Sequence, residues 1–176
     1  MSYVAVYHVA TPHTPNKVLT HVEDIAATLA EHGVRFERWP PSPIQKGASN
    51  AEMIAAYQAQ IDALGYTQAH VLSVTSDHPQ TAEVRAGFLK ERRYCEEAVH
   101  FFIAGQGLFS FHSGQYRYAV RCEKNDVLII PAGLAHWLDM GENPHVVTLR
   151  LFKTAQDCEP EFTGYDNAGL FPGLDD

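Results

Sequence analysis

The spacing of apolar and polar residues divides the chain into a first part with helical periodicity and a later part of short alternating segments. Residues 3–9 alternate as a strand does. Thr20 and Glu23 have the spacing of a capping box, which predicts a helix that ends at Gly33, and residues 34–39 predict a second strand. The N-terminal part therefore mixes strands with helices.

Two further helices are predicted before residue 95. Ser49 and Glu52 form another capping box, and the helix that follows ends at Gly65. Its apolar face consists of Met53, Tyr57, Ile61 and Leu64. Residues 70–73 predict a short strand, and residues 81–89 predict a helix whose inward face carries Val84 and Phe88.

From residue 98 onward, the chain consists of alternating segments separated by turn signals. These signals lie at residues 105–107, 113–114, 124–126 and 131–133, and they predict a run of hairpins. Closely spaced strands of this kind favour a small antiparallel barrel or jelly roll with a ligand pocket inside it. We expect one α+β domain over residues 1–176, with a helical and mixed α/β portion preceding the barrel.

The amino-acid composition limits which ligands the protein is expected to bind and in which cellular compartment it is expected to occur. A formal net charge of −8, without a Lys/Arg-rich run, argues against nucleic acid and favours a small-molecule ligand. The sequence shows neither a secretory signal nor a stretch of about 20 apolar residues, so we expect no membrane association. Three widely spaced cysteines, Cys95, Cys122 and Cys158, suit reduced thiols in the cytoplasm. Monomer and homodimer both remain open.

Several segments of the strand-rich part together resemble one known family. They are residues 105–109, 122–126, 130–133 and 136–141, and the similarity extends to residues 33–39, 54–57 and 162–164. This set closely resembles the acireductone dioxygenases of the cupin superfamily over most of the chain. The resemblance implies a cupin-type jelly roll and an origin in methionine salvage. It also implies Fe(II) or Ni(II) chemistry, in which dioxygen adds to an enediol-ketone carrying a methylthio group.

The resemblance implies a metal site of three histidines and one glutamate, of which this chain keeps little. The family pattern is His-x-His-x-x-x-Glu, and its ligand positions match Arg92, Tyr94 and Ala98 here. The fourth ligand, a histidine before a Trp-Phe-Asp-Met-Gly segment, matches His136. The chain is therefore identified as a diverged member that lacks three of the four metal ligands, and no cofactor is expected.

An altered metal site is the alternative. Its ligands would be His136, His100, Glu97 and Cys95, residue types that suit Fe, Ni or Zn. Arg92 speaks against it, because a guanidinium beside a divalent cation repels it by several kcal/mol, at about 4 Å and an effective dielectric constant of about 20.

The residues that face the barrel predict an anion site with titratable groups. Alternation places Arg92, Tyr94, Ala98 and His100 inward, and His136 and Arg150 join them. Two of these, His100 and Arg150, match arginines of the family, and Phe88 and Trp137 match apolar wall positions. The catalytic candidates are His136, His100 and Tyr94, and the substrate-binding candidates are Arg92, Arg150, Phe88 and Trp137.

The leading hypothesis is a metal-independent enzyme that isomerises, cyclises or eliminates through an enolate of a small anionic dicarbonyl or enediol-like substrate. A metal-dependent dioxygenase with altered ligands and a non-catalytic ligand-binding cupin are the rivals. Structural roles also remain open for single residues: Arg92 could pair with Glu91 or Glu97, Tyr94 could fill volume, and His100 could be a satisfied core donor.

Overall fold

The described part of the chain, residues 1–156 and 159–176 of a computed structural model, contains eleven strands and four α-helices. Cys158 lies outside it. The strands are β1 (Tyr3–His8), β2 (Lys17–Leu19), β3 (Arg35–Arg38), β4 (Gln68–Thr75), β5 (Arg92–Arg93), β6 (Ala98–Ser113), β7 (Tyr116–Glu123), β8 (Asp126–Ile130), β9 (His136–Asp139), β10 (His145–Phe152) and β11 (Glu161–Phe162). The helices are α1 (Val22–Ala30), α2 (Asn50–Ala56), α3 (Gln58–Leu64) and α4 (Thr81–Leu89), and a short 3-10 helix covers Ala168–Leu170.

The 16-residue strand β6 belongs to two antiparallel sheets. Its first half pairs with β8 and β10, which in turn pair with β3 and β4. Its second half pairs with β7 and β9, and this sheet continues through β1 and β2 on one side and β5 and β11 on the other. The predicted jelly roll with an N-terminal helical portion is confirmed.

The bend in β6 lies at Gly105, where a turn was predicted over residues 105–107. That prediction is wrong, because the strand continues through these residues and only changes sheets. Gly105 has a φ of 77°, and a side chain there would overlap the backbone carbonyl oxygen of His145 on β10. The pairing of β6 with β10 also shifts register close to this glycine, between the pairs Ala104–Val147 and Phe102–Thr148. Glycine is thus required for both its conformation and its lack of a side chain.

Alternation along β6 divides the core into two clusters. Phe102 is buried in a cluster between the sheets and α1, whereas its neighbour Phe101 is buried beneath α2 and α3. Successive side chains of a strand point to opposite faces, so one strand supplies both clusters. Phe102 therefore lies on the inner face of the barrel, and Phe101 lies on its outer face.

The predicted helices are confirmed in position and corrected in detail. Ser49 makes the predicted capping box, and α4 has the predicted bounds. The Thr20 capping box is wrong, because His21 is the N-cap of α1 and makes no side-chain cap. The helix after Ser49 is divided at Tyr57 into α2 and α3. No helix within the described residues is long and apolar enough to span a membrane.

Candidate active site

Two cross-strand pairs place an arginine and a histidine together in each sheet. Arg92 of β5 lies directly opposite His136 of β9, and His100 of β6 lies directly opposite Arg150 of β10. Directly opposed residues of two paired strands project from the same face. Burial lowers the pKa values of both imidazoles, and both arginines lower them further, so the two pairs act on each other as a single cluster.

Tyr94 joins the two sheets at this cluster. Nη2 of Arg150 donates a hydrogen bond of 2.7 Å to the Tyr94 phenolic oxygen. The tyrosine ring is buried with Ala98 and Phe152, and its centroid lies 5.6 Å from that of His136. The small side chain of Ala98 leaves room for the ring. Tyr94 therefore fills volume and also presents a hydroxyl to the cluster.

Arg92 is held by the end of helix α4. Its guanidinium donates to the backbone carbonyls of Gly87 and Lys90, where a positive charge also complements the helix dipole. It lies over the rings of Phe88 and Phe162, at 4.8 and 5.0 Å from their centroids.

The predicted alternative of an Arg92 ion pair with Glu91 or Glu97 is wrong. The Glu91 carboxylate accepts hydrogen bonds from Thr163 and Asn167, and the Glu97 carboxylate accepts one from Tyr66.

Phe88 contacts both guanidinium groups of the cluster. The Arg150 carbon Cζ lies 5.4 Å from the Phe88 centroid and 5.2 Å from that of Phe152. Neither Arg92 nor Arg150 forms an ion pair with a carboxylate among residues 1–156 and 159–176. Contacts with aromatic faces offset part of the cost of burying these charges. The cluster therefore keeps two positive charges without a counterion among the described residues.

The tautomer of His136 is set by a backbone carbonyl. Its Nδ1 lies 2.8 Å from the Leu134 oxygen, and a carbonyl can only accept, so Nδ1 carries the proton. Nε2 is then an unprotonated base. Burial lowers the pKa of His136 to about 4, and Arg92 and Arg150 act in the same direction. The imidazole is neutral at physiological pH.

His100 is the second buried imidazole. Its Nε2 is buried without a hydrogen-bond partner in the described structure. His100 is therefore not a core histidine whose ring nitrogens are both satisfied by the protein residues described. Burial lowers the pKa of His100 well below its ordinary value, and Arg150, His136 and Arg92 lower it further. An unpartnered polar atom at this depth is costly unless a ligand or water satisfies it.

Trp137 does not join the cluster, which corrects the sequence prediction. It follows His136 in β9, so it points to the opposite face. There it packs with His112 and Phe171 beneath the C-terminal segment, near the guanidinium of Arg117. Successive side chains of a strand point to opposite faces, so the residue directly after an inward-facing histidine cannot also line the inside of the barrel.

Two residues of the cluster were missed. Phe152 lies two residues after Arg150, so alternation along β10 could have found it. Phe162 reaches Arg92 only because β11 pairs with β5, a long-range contact that no local pattern signals.

The alternative metal ligands do not come together. His136 and His100 both lie in the cluster. The side chain of Cys95 is exposed, however, and the Glu97 carboxylate accepts a hydrogen bond from the Tyr66 hydroxyl. Within the described residues, no group of three or more His, Cys, Asp or Glu side chains could hold a metal ion.

A pocket of about 420 Å³ adjoins the cluster on the other side of Phe162. Residues of α4 and the segment after it line one side, and residues 162–166 line the other. Phe162 thus contacts both this pocket and Arg92.

An antiparallel jelly roll with a polar cluster inside it defines a cupin-type protein. A solved acireductone dioxygenase from Bacillus anthracis, described with a cadmium ion in its active centre, matches the fold with a TM-score of 0.78 and 23% identity, over 92% of this chain and 98% of that one. The model of the ARD/ARD′ family matches residues 5–160, and the chain belongs to that family.

Curated relatives match along the whole chain. Acireductone dioxygenases of Pseudomonas syringae pv. syringae and Pseudomonas fluorescens Pf0-1 are each 57% identical to it, and that of Pseudomonas aeruginosa PAO1 is 53% identical. Each comparison covers all of both chains.

The metal that the family implies does not fit the residues present at the matching positions. Arg92 and Ala98 offer no lone pair, and the Tyr94 oxygen accepts a hydrogen bond from Arg150. Only His136 is a common ligand for a divalent metal there.

Proposed function

We propose that this protein is a metal-independent acid/base enzyme that acts through an enolate of a small anionic dicarbonyl or enediol-like compound. The observation that carries the proposal is the clustering of two buried imidazoles with two guanidinium groups, that of Arg92 buried and that of Arg150 partly buried, neither of which has a carboxylate partner in the described structure. Such a cluster combines proton acceptors with fixed positive charge, which is what enolate formation needs.

The roles follow from the hydrogen bonds. Nε2 of His136 accepts the proton next to a carbonyl, while its Nδ1–H stays bonded to Leu134. Arg150 stabilises the charge that develops on the carbonyl oxygen. Tyr94 already accepts a hydrogen bond from Arg150, so its own O–H proton is available for the enolate. His100, on the facing sheet, is a second acceptor.

The low pKa of His136 restricts the substrate. A base with a pKa of about 4 is weak, so the proton that it removes must be acidic. A proton between two carbonyls or on a hydroxyketone meets this requirement better than one beside a single ester or amide. Bound negative charge also raises the pKa of the imidazole and strengthens the base.

Hydrogen–deuterium exchange tests the proposal without the natural substrate. Hydroxypyruvate in D₂O is a probe with a carboxylate and an enolisable carbonyl, and NMR follows the loss of its C3 protons. We expect EDTA-treated protein to accelerate exchange and His136→Asn to lose most of the acceleration, because asparagine keeps the donor to Leu134 and removes the base. His13→Asn, at an exposed loop position, is the control.

No acceleration by the EDTA-treated wild-type protein, with acceleration restored by Fe(II) or Ni(II), contradicts metal independence. Exchange that is equally fast in the His136→Asn variant contradicts the role of His136.

A second candidate is the activity for which the relatives are named, and identity of 57% over the whole chain favours it. Oxygen uptake with acireductone, measured with and without added Fe(II) or Ni(II), discriminates between the two. Near-stoichiometric metal that survives dialysis, together with oxygen uptake, would establish this candidate. Ligand binding without turnover of any probe would instead support a non-catalytic binding cupin.

A further inference from the structure

The charge of the cluster points to a more specific ligand, and this inference rests on the proposed function. We propose that the site binds a small dianion, either a dicarboxylate or a phosphate compound, whose two negative charges are shared between Arg92 and Arg150. The place at which the family resemblance implies a divalent cation would then hold a doubly charged anion.

The positive charge of the cluster is unbalanced. Arg92 is 7% exposed and lies with the buried His100 and His136 and the partly buried Arg150. No described carboxylate pairs with either arginine, so the two guanidinium groups bring two positive charges to the cluster without a counterion in the described structure. Burying charge without a counterion is costly, and a ligand of charge −2 removes the imbalance whereas a monoanion removes half of it.

Arg92 and Arg150 share one aromatic neighbour. Both guanidinium carbons lie within 5.4 Å of the centroid of the Phe88 ring. A small molecule that carries two negative charges is therefore the kind of ligand that this pair of cations selects.

The cluster also has buried polar nitrogen atoms without a partner in the described structure. The Nε atom of Arg150 is buried without a partner in the described structure, and so is Nε2 of His100, directly opposite it across β6 and β10. Arg150 therefore retains a donor that no described group of the protein accepts. Guanidinium groups with free N–H donors favour oxyanions, because planar carboxylate and phosphate oxygens accept two such bonds together.

Isothermal titration of the EDTA-treated full chain at pH 7.5 and constant ionic strength tests the inference. The probes are malonate, phosphate and acetate. We expect the better of the two dianions to bind at least about tenfold more tightly than acetate, because two guanidinium groups act on it. Malonate and phosphate as separate arms distinguish a dicarboxylate site from a phosphate site.

Substitutions of single arginines test whether the dianion binds at Arg92. Arg92→Gln should reduce the preference for a dianion over acetate to about threefold or less, because one positive charge is lost. Arg92→Lys, which keeps the charge, should retain most of the preference and guards against a variant that fails to fold. Arg35→Gln removes an exposed arginine of β3 and should change nothing.

Equal affinity for acetate and both dianions, or an unchanged preference in Arg92→Gln, would overturn the inference. Dianion binding that appears only after Ni(II) is added would also overturn it, because the metal would then be the binding group. Dianion binding without exchange on hydroxypyruvate contradicts only the proposed function. Exchange without a preference for dianions contradicts only the present inference.

Discussion

Acid should destabilise this protein through His136, and the size of the effect follows from its burial. The imidazole is 3% exposed and lies beside two guanidinium groups, so its protonated form is disfavoured in the folded state. In the unfolded chain the same group has an ordinary pKa of about 6.5. The unfolded state therefore binds the proton first as the pH falls, and protonation favours unfolding.

The magnitude comes from the two pKa values, about 4 when folded and about 6.5 when unfolded. The stability contributed by the neutral His136 is fully present above pH 6.5 and is lost progressively as the pH falls towards 4. Proton linkage gives a loss of about 2 kcal/mol between pH 7 and pH 5, and about 3 kcal/mol below pH 4. The lowered pKa of His100 adds a loss in the same direction.

Urea unfolding at pH 7 and pH 5 measures this loss, with fluorescence from the buried Trp39 and Trp137 as the signal. His136→Asn keeps a donor for Leu134 and has no titrating group. We expect its loss of unfolding free energy between pH 7 and pH 5 to be about 2 kcal/mol smaller than that of the wild type. His13→Asn should behave as the wild type. The same loss in wild type and His136→Asn would refute the reasoning.

Two further substitutions test the packing that supports the site. Tyr94→Phe removes the acceptor of Arg150 and leaves a buried donor unsatisfied, so we expect a loss of about 1–3 kcal/mol in urea unfolding, and an unchanged stability would contradict the bond. Gly105→Ala should lower the melting temperature steeply, because the new side chain would overlap the carbonyl of His145. Gly114→Ala, also at positive φ but facing open space, should cost only about 1 kcal/mol. Similar losses for the two alanine variants would show that the overlap is relieved.

Much of the fold could be predicted because it depends on local signals. Alternation after residue 98 and the pattern of residues 81–89 correspond to the strands and helix observed. The turn predicted at Gly105 failed for a physical reason. A glycine at positive φ permits both a turn and a bend within a continuous strand, and only the pairing of β6 with β10 decides between them.

The site was predictable to the extent that it depends on alternation. Arg92 and His136 were placed on inward faces, and they are directly paired. What Arg92 contacts could not be read from the sequence. Its donors go to the end of α4, and its second aromatic neighbour, Phe162, lies seventy residues further along the chain. The family resemblance predicts Trp137 in the wall of the pocket, but alternation along β9 turns it to the face opposite His136.

Electrostatics connect binding with catalysis in the proposed complex. In the unliganded protein, burial and two uncompensated guanidinium groups keep His136 a weak base. A bound dianion cancels the repulsive contribution of Arg92 and Arg150 to the pKa of this imidazole, although it leaves the contribution of burial unchanged. The base therefore strengthens when an anionic substrate occupies the cluster. A barrel that binds cations would have the opposite dependence, because a bound cation lowers the pKa of a neighbouring imidazole further, so the direction of this shift on ligand binding reports the sign of the charge that the site accepts.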